Sequence, residues 1–131
     1  MTPDQIELVR GVVARVRVSP DFAAAFYRRL FVAAPEAAEM FGDIVSQRLK
    51  ITAELDALVG LIDDLPALEV RARELGVRHR AYGVRAAQYR QARLAMVEAL
   101  EEVLGPEFGP AEAAAWDRAT SLITELMQAS S

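Results

Sequence analysis

Four of the six prolines in this chain stand where a helix can begin. A proline in the first turn of a helix loses no intrahelical hydrogen bond, and a Thr or Ser before it can cap the free amides. The four pairs are Thr2-Pro3, Ser19-Pro20, Leu65-Pro66 and Gly109-Pro110. The pattern therefore predicts four helix starts, with segments between them long enough for one or more helices each.

Between these prolines, apolar residues recur at intervals of three and four, the spacing of one face of an α-helix. The faces are Ile6, Val9, Val13 and Val16; Phe22, Phe26 and Leu30; Ile51, Leu55, Leu58, Ile62 and Leu65; Leu68, Ala72, Leu75, His79 and Tyr82; Tyr89, Ala92, Met96, Leu100 and Val103; Trp116, Ala119, Ile123 and Met127. No stretch shows a convincing period of two, and Pro35-Glu36 ahead of Phe41-Gly42 suggests a short helix and a corner. We therefore predict one all-α domain over residues 1–131, with six substantial helices and one short helix.

Composition excludes several classes of function. The formal net charge of −4 disfavours a nucleic-acid partner, because phosphates repel an acidic protein. The chain has no cysteine, which removes disulfides and thiolate metal sites and suits a reducing compartment. No apolar run approaches the roughly 20 residues of a membrane span, and the polar, acidic N-terminus is unlike a signal peptide. We expect a cytoplasmic location.

His79 is the single histidine, and it lies in phase with the apolar residues Leu68, Ala72 and Leu75. A buried imidazole needs a hydrogen-bond or metal partner. From position alone, a core histidine bonded to a backbone carbonyl is the commoner case. A zinc site would need further His or Cys ligands, whereas haem needs only one axial imidazole because the porphyrin supplies four nitrogens. The residue pattern leaves the core histidine and the haem ligand as alternatives.

Three more polar residues are ordinary when taken singly. Tyr27 suits an interfacial tyrosine with a hydrated hydroxyl, and Gln47 suits a solvent-facing residue at a helix terminus. Tyr89 begins the apolar face of the fifth helix, where simple core packing accounts for it. Only their arrangement together with His79 points to a binding site.

Two segments carry a family resemblance. Residues 26–31 (FYRRLF), followed by Pro35-Glu36 and Phe41, resemble the B helix, C helix and following corner of bacterial haemoglobins of the flavohaemoglobin lineage. Residues 75–84 (LGVRHRAYGV) resemble the proximal segment of that family, with Tyr89 at the family spacing of ten residues after His79. Trp116 matches a tryptophan of the last helix, and the resemblance extends from about Pro3 to Met127.

The resemblance implies a globin fold that encloses a b-type haem between the helices conventionally called E and F. By this match His79 is the proximal iron ligand, and Tyr27 and Gln47 donate hydrogen bonds to a bound gas on the opposite side. The remaining expected haem-binding residues are Phe41 on the porphyrin face, Ile51 in the distal wall, Val84 in the proximal segment, Tyr89 behind His79, and Arg78 and Lys50 at the propionates.

The implied function is reversible binding of oxygen, and of nitric oxide or carbon monoxide, for storage, delivery or scavenging. The alternative is a nitric oxide dioxygenase that receives electrons from a separate reductase, since this chain ends at Ser131 without the reductase of the flavohaemoglobins. A haemless or sensory globin is a third hypothesis. The family often has a glutamate late in the last helix, but its spacing from Trp116 reaches Ser131, and Glu125 lies about 240° away around the helix. The missing acid weakens the inference of dioxygenase chemistry.

Residues 71–93 contain seven arginines and one acid, Glu74. A solvated basic face explains this charge run. Pairing with haem propionates, by Arg78 first, or docking of an acidic reductase would also explain it, although a solvated face is the commoner case. The sequence leaves these three explanations open.

Overall fold

The computed structural model describes residues 1–40 and 44–129, with the side chains of all of these except 40 and 44–49. Its helices, with two short 3-10 segments, are α1 (Pro3–Val16), α2 (Pro20–Ala33), the 3-10 helix Pro35–Met40, α3 (Ile44–Gly60), α4 (Leu65–Ala81), α5 (Ala86–Leu104), the 3-10 helix Gly105–Glu107 and α6 (Pro110–Gln128). The described residues contain no strand. The predicted all-α fold with six long helices is confirmed.

The helix starts follow the proline pattern. Thr2 accepts a hydrogen bond from the amide of Gln5, whose side chain accepts one from the amide of Thr2, which forms a capping box. Ser19 caps α2, while Asp64 caps α4 by accepting a hydrogen bond from the amide of Ala67. Because these side chains satisfy amides that have no partner inside the helix, the three helices begin within a residue or two of the predicted points.

Two details of the sequence prediction are wrong. The third apolar face was expected to continue from Ile51 to Leu65, but α3 ends at Gly60 and Leu65 begins α4 with 53% of its surface exposed. Tyr82 was expected on the buried face of the fourth helix, but it is the C-terminal cap of α4 and is 64% exposed. Both errors come from extending a helical period past the residue at which the helix ends.

The core lies where α2 packs along α5, α4 packs on α6, and α1 contacts both α3 and α6. Its largest fully buried side chains are Trp116, Phe22, Leu68 and Leu100. The approach of α4 to α6 depends on Gly76, because a Cβ there would clash with the carbonyl oxygen of Met127. No larger residue fits that crossing without moving one of the two helices.

Ion pairs join helices at the surface. Glu102 on α5 accepts hydrogen bonds from Arg28 at 2.6 and 2.7 Å and from Arg29 at 2.8 Å, both on α2. Between α3 and α4, Arg71 donates two hydrogen bonds to Glu54, at 3.2 Å from Nε and 3.0 Å from Nη2. Over the described residues α3 and α4 otherwise meet sparsely, so this bidentate pair is their main polar connection. No described helix is long and apolar enough to cross a membrane.

Candidate cofactor site

His79 lies near the end of α4, with its imidazole partly buried. Its Nδ1 lies 2.9 Å from the backbone oxygen of Leu75, one helical turn earlier. A carbonyl oxygen can only accept a hydrogen bond, so Nδ1 carries the proton and Nε2 keeps its lone pair. The imidazole makes no other hydrogen bond to the described part of the chain. Histidines that ligate metals are oriented by the same kind of bond on the other ring nitrogen.

The surroundings of His79 favour the neutral ring. Burial lowers the pKa of His79 most strongly, the hydrogen bond to Leu75 raises it, the charge of Arg78 lowers it, and the charge of Glu54 raises it. The net effect is a pKa below the ordinary value of 6.5. The imidazole is therefore uncharged at neutral pH, which is the form that binds a metal.

Tyr89 on α5 stacks against His79. The two ring centroids are 6.0 Å apart with 21° between the ring planes, and Tyr89 is buried. Burial raises the pKa of Tyr89, so its hydroxyl stays protonated. Tyr89 is on α5, which packs along α2. The ring of Tyr89 is therefore held in place, and it restrains the plane of the His79 ring from a helix other than α4.

The corner after α4 closes on the same histidine. The amide of Val84 donates a hydrogen bond to the backbone oxygen of His79 at 3.0 Å, and the Val84 side chain is partly buried. Gly83 makes this turn possible, because its φ of +89° lies in a region that residues with a side chain rarely adopt. The structure therefore brings three predicted residues together: His79, Val84 and Tyr89.

The other predicted residues lie on separate elements. Tyr27 on α2 is buried. Its ring centroid lies 5.0 Å from that of Phe26 and 5.8 Å from that of Phe31. Ile51 on α3 is partly buried and packs against the core, while Lys50 beside it is exposed. These positions are consistent with a wall formed by α2 and α3.

Three further predicted residues remain to be considered. Phe41 lies outside the described residues, and so does the side chain of Gln47. Arg78 is exposed and has no ion pair with any described residue. Its guanidinium is available to an anionic group at the edge of the site.

Sequence reasoning named a backbone carbonyl as the commoner partner of a buried His79, but it did not identify which carbonyl, and it missed Glu54. The acceptor for Nδ1 is the carbonyl of Leu75, which the four-residue spacing on one helix could have indicated. Glu54, whose charge acts on the pKa of His79, comes from α3 and pairs with Arg71. No local signal in the sequence places Glu54 next to α4, since that requires the packing of two helices.

The donor set fits an iron porphyrin better than a bare metal ion. Among the described residues, no group of three or more His, Cys, Asp and Glu side chains is arranged to hold a metal. One neutral imidazole with a lone pair on Nε2 is enough where a macrocycle supplies the other four nitrogens. The proximal half of the site is therefore suited to haem.

The described part of the chain is thus an all-α domain with one partly buried, uncharged histidine that is suited to ligating a cofactor. The chain belongs to the globin family, whose sequence model matches residues 24–127. Members of this family bind haem and, through it, diatomic gases.

A solved structure has the same fold along nearly its full length. It is an engineered carbene transferase made from a Rhodothermus marinus protein whose name suggests, without establishing, a nitric oxide dioxygenase. The two chains are 27% identical with a TM-score of 0.87, and the match covers 99% of this chain and 92% of the other. The similarity therefore extends over the whole domain.

Proposed function

We propose that this protein is a single-domain haemoglobin of the flavohaemoglobin lineage that binds haem b through Nε2 of His79 and reversibly binds oxygen. The observation that carries the proposal is the orientation of His79, whose Nδ1 is bonded to the Leu75 carbonyl and whose ring is neutral. When bound, the haem iron supplies the coordination position at which a diatomic gas binds. The lack of cysteine suits a function in the reducing cytoplasm.

The chain's own residues would orient and shield the cofactor. Tyr89 restrains the His79 ring, and the corner at Val84 fixes the end of α4. Ile51 and Phe41 would supply apolar surface against the porphyrin. Arg78 would pair with one propionate and Lys50 with the other, each as a partly exposed charge-assisted contact.

Tyr27 and Gln47 would act on the gas. Both can donate a hydrogen bond, and Tyr27 is buried where water competes poorly. A charge-assisted hydrogen bond of this kind contributes about 1–3 kcal/mol. Such a bond strengthens gas binding chiefly by slowing release.

The second candidate function is nitric oxide dioxygenation with electrons from a separate reductase. The name of the Rhodothermus marinus relative favours it. The partner of His79 favours simple gas binding instead, because a backbone carbonyl makes the imidazole less electron-donating than a carboxylate would. Glu125 is the acid of α6 nearest in sequence to the position at which the family often has its glutamate, and it is exposed. We therefore place reversible binding first.

Titration of the purified protein with hemin, followed in the visible spectrum, tests the proposal. We expect one equivalent to bind with a sharp Soret band, and His79→Gly to lose stable binding, with recovery when free imidazole replaces the missing ligand. Glu74→Gly is the matched control, because it introduces glycine at an exposed position of the same helix. A wild-type protein that stays colourless would contradict the proposal, as would an unchanged iron–histidine Raman band in His79→Gly.

The second candidate has its own measurement. Nitric oxide and oxygen are supplied together with a generic reductase and its electron donor, since each nitrate forms from one nitric oxide, one oxygen molecule and one electron, and nitrate is followed over many equivalents. A sustained cycle would favour the dioxygenase, whereas a single turnover that stops would favour reversible gas binding.

A further inference from the structure

Gln88 on α5 is a buried polar side chain to which the proposed function gives no role. Only 6% of its surface is exposed, although it lies in the first turn of α5, next to Tyr89. A buried amide group is costly unless its oxygen and its nitrogen both find hydrogen-bond partners. The partners of Gln88 therefore show what this side chain holds in place.

The oxygen of Gln88 holds the corner between α4 and α5. The amide of Arg85 donates a hydrogen bond to Oε1 of Gln88 at 2.9 Å, and the amide of Gln88 donates one to the backbone oxygen of Arg85, also at 2.9 Å. Arg85 directly precedes α5, so its amide has no partner within the helix and depends on this side chain. Val84, whose amide is bonded to the His79 carbonyl, is thus followed by a second fixed residue.

The nitrogen of the Gln88 side chain bonds to a different element. Nε2 donates a hydrogen bond to a carboxylate oxygen of Glu36 at 3.4 Å, and Glu36 lies on the 3-10 helix Pro35–Met40. A backbone amide donates and an ionised carboxylate accepts, so the two partners admit one orientation of the side-chain amide. The 3-10 helix packs on α2, which carries Tyr27. Gln88 thus joins the corner after His79 to the side of the domain that carries Tyr27.

These contacts form a closed circuit around the corner. The backbone oxygen of His79 accepts a hydrogen bond from Val84. The next residue, Arg85, donates to Gln88. Tyr89 follows Gln88 and stacks on the imidazole of His79. A change at Gln88 would therefore reach the histidine from two sides, through the backbone at the end of α4 and through the ring of Tyr89.

Helix capping alone does not account for Gln88. A capping side chain needs only one acceptor atom, whereas Gln88 also directs its donor to a second element and is buried. Gln91, one turn later on α5, gives the comparison. Its Nε2 donates a hydrogen bond to the carbonyl of Ala33 at 3.3 Å, so it also joins α5 to the end of α2. Within the described part of the chain, however, Gln91 makes no hydrogen bond to the corner.

We propose that Gln88 is a positioning residue for the haem ligand His79, and that its bond to Glu36 keeps the corner in register with the 3-10 helix. The inference rests on the proposed function, because the position of His79 matters to a gas only if His79 ligates the iron. Gln88 acts through Val84 and Tyr89 and not through the iron itself. Without its two bonds the imidazole would take more than one orientation toward the haem.

Amide hydrogen exchange and Raman spectroscopy test this role on the full chain. In Gln88→Leu we expect the amides of Val84 and Arg85 to exchange about fivefold faster, since an ordinary hydrogen bond that keeps the corner closed is lost. In the haem-loaded ferrous protein we expect the iron–histidine band to shift or broaden, because His79 loses a restraint. Gln91→Leu is the matched control: it removes an amide of the same kind from the same helix and should change neither measurement.

Exchanging the two side chains tests the bond to Glu36. Gln88→Glu keeps an acceptor for the Arg85 amide but sets a carboxylate against Glu36, so the corner should loosen as it does in Gln88→Leu. Adding Glu36→Gln places an amide donor opposite the new acceptor and restores the net charge. We therefore expect the double variant to recover the exchange rates and the iron–histidine band of the wild type.

The outcomes that would overturn the proposal are specific. Equal effects of Gln88→Leu and Gln91→Leu would show a general loss of stability, and an iron–histidine band that Gln88→Leu leaves unchanged would show that His79 is positioned without Gln88. If Gln88→Leu does not fold, the exchange pair decides, and failure of the double variant to recover overturns the proposal. A wild type without a Soret band would contradict the haem site itself, while the exchange rates would still report whether Gln88 holds the corner.

Discussion

The imidazole of His79 is held from two directions. Its own helix supplies the Leu75 carbonyl at 2.9 Å, and α5 supplies the stacked ring of Tyr89. The hydrogen bond fixes which nitrogen carries the proton, while the ring contact restrains rotation about the side chain. Two restraints of different kinds leave Nε2 as the only ligating atom with a defined direction, which is the property a proximal ligand needs.

Replacing Tyr27 with phenylalanine should speed oxygen release. The change removes the hydroxyl but keeps a ring that is packed against Phe26 and Phe31. Loss of one charge-assisted hydrogen bond of about 1–3 kcal/mol corresponds to an increase in the release rate of about 5- to 150-fold. Stopped-flow replacement of bound oxygen by carbon monoxide measures the rate of oxygen release.

Carbon monoxide provides the internal control for Tyr27→Phe. It accepts a weaker hydrogen bond than oxygen does, so its release should change much less in the same variant. Equal oxygen release in wild type and variant would remove Tyr27 from the gas site.

The sequence correctly predicts that a residue points into the protein where the helical period alone determines the direction of its side chain. The apolar face of the fourth helix correctly predicts that His79 points inward, and the face of the fifth predicts that Tyr89 is buried. Phase fails for Tyr82, which lies where α4 stops. Glu54 and its effect on His79 could not be predicted, because they depend on how α3 packs against α4.

At the scale of elements, the position of α4 is set by its crossing with α6. The missing side chain at Gly76 lets the two backbones meet at the Met127 carbonyl, while Leu68 and Ala72 are buried on the same helix. Since His79 is three residues beyond Gly76, the crossing also fixes where the imidazole lies. The proposed haem ligand is thus positioned by a helix crossing that lies about one turn before it on α4.

Replacing Gly76 with alanine should destabilise the fold and disturb the haem. The added Cβ would clash with the carbonyl oxygen of Met127, so α4 and α6 must separate. Overpacking of this kind costs about 1–3 kcal/mol. Urea unfolding measures the loss, and a shifted or weakened Soret band should accompany it.

Gly11→Ala is the matched control for Gly76→Ala. It lies within α1, and a Cβ there meets nothing within 4 Å. Alanine is the better helix former by about 1 kcal/mol, so this variant should be slightly more stable than wild type. Equal stability of the two alanine variants would contradict the role of the crossing.

Element starts are more predictable than element ends in this chain. Thr2, Ser19 and the prolines after them act locally, so the beginnings of α1 and α2 follow from neighbouring residues. The end of α3 at Gly60 has no such strong local signal, because apolar spacing continues through Ile62 to Leu65. Only the tertiary arrangement shows that the chain turns there.

For the whole molecule, haem should be a large contributor to stability. A ligand that binds only the folded state stabilises it by about 4 kcal/mol when its concentration is a thousand times the Kd. We expect hemin to raise the thermal unfolding midpoint of the haem-free protein by roughly 10 to 20 °C, since each kcal/mol moves the midpoint of a domain of this size by about 3–5 °C. Calorimetry with and without one equivalent of hemin measures the shift.

Metal-free protoporphyrin IX separates stabilisation by the filling of apolar space from stabilisation by the bond between iron and His79. It fills the same apolar space but offers no iron to His79, so it should raise the midpoint less than hemin does. An equal rise with both compounds would show that the bond to His79 contributes nothing.

The pairing of Glu54 with Arg71 bears on how a cofactor would enter and leave. These two side chains bridge helices that otherwise meet sparsely, whereas α4 is anchored on α6 and α3 on α1. Spreading α3 from α4 would thus break one bidentate contact and leave each helix seated on its own neighbour. Exchange of the prosthetic group would then proceed through a local gate, at a rate governed by one carboxylate and one guanidinium and sensitive to added salt.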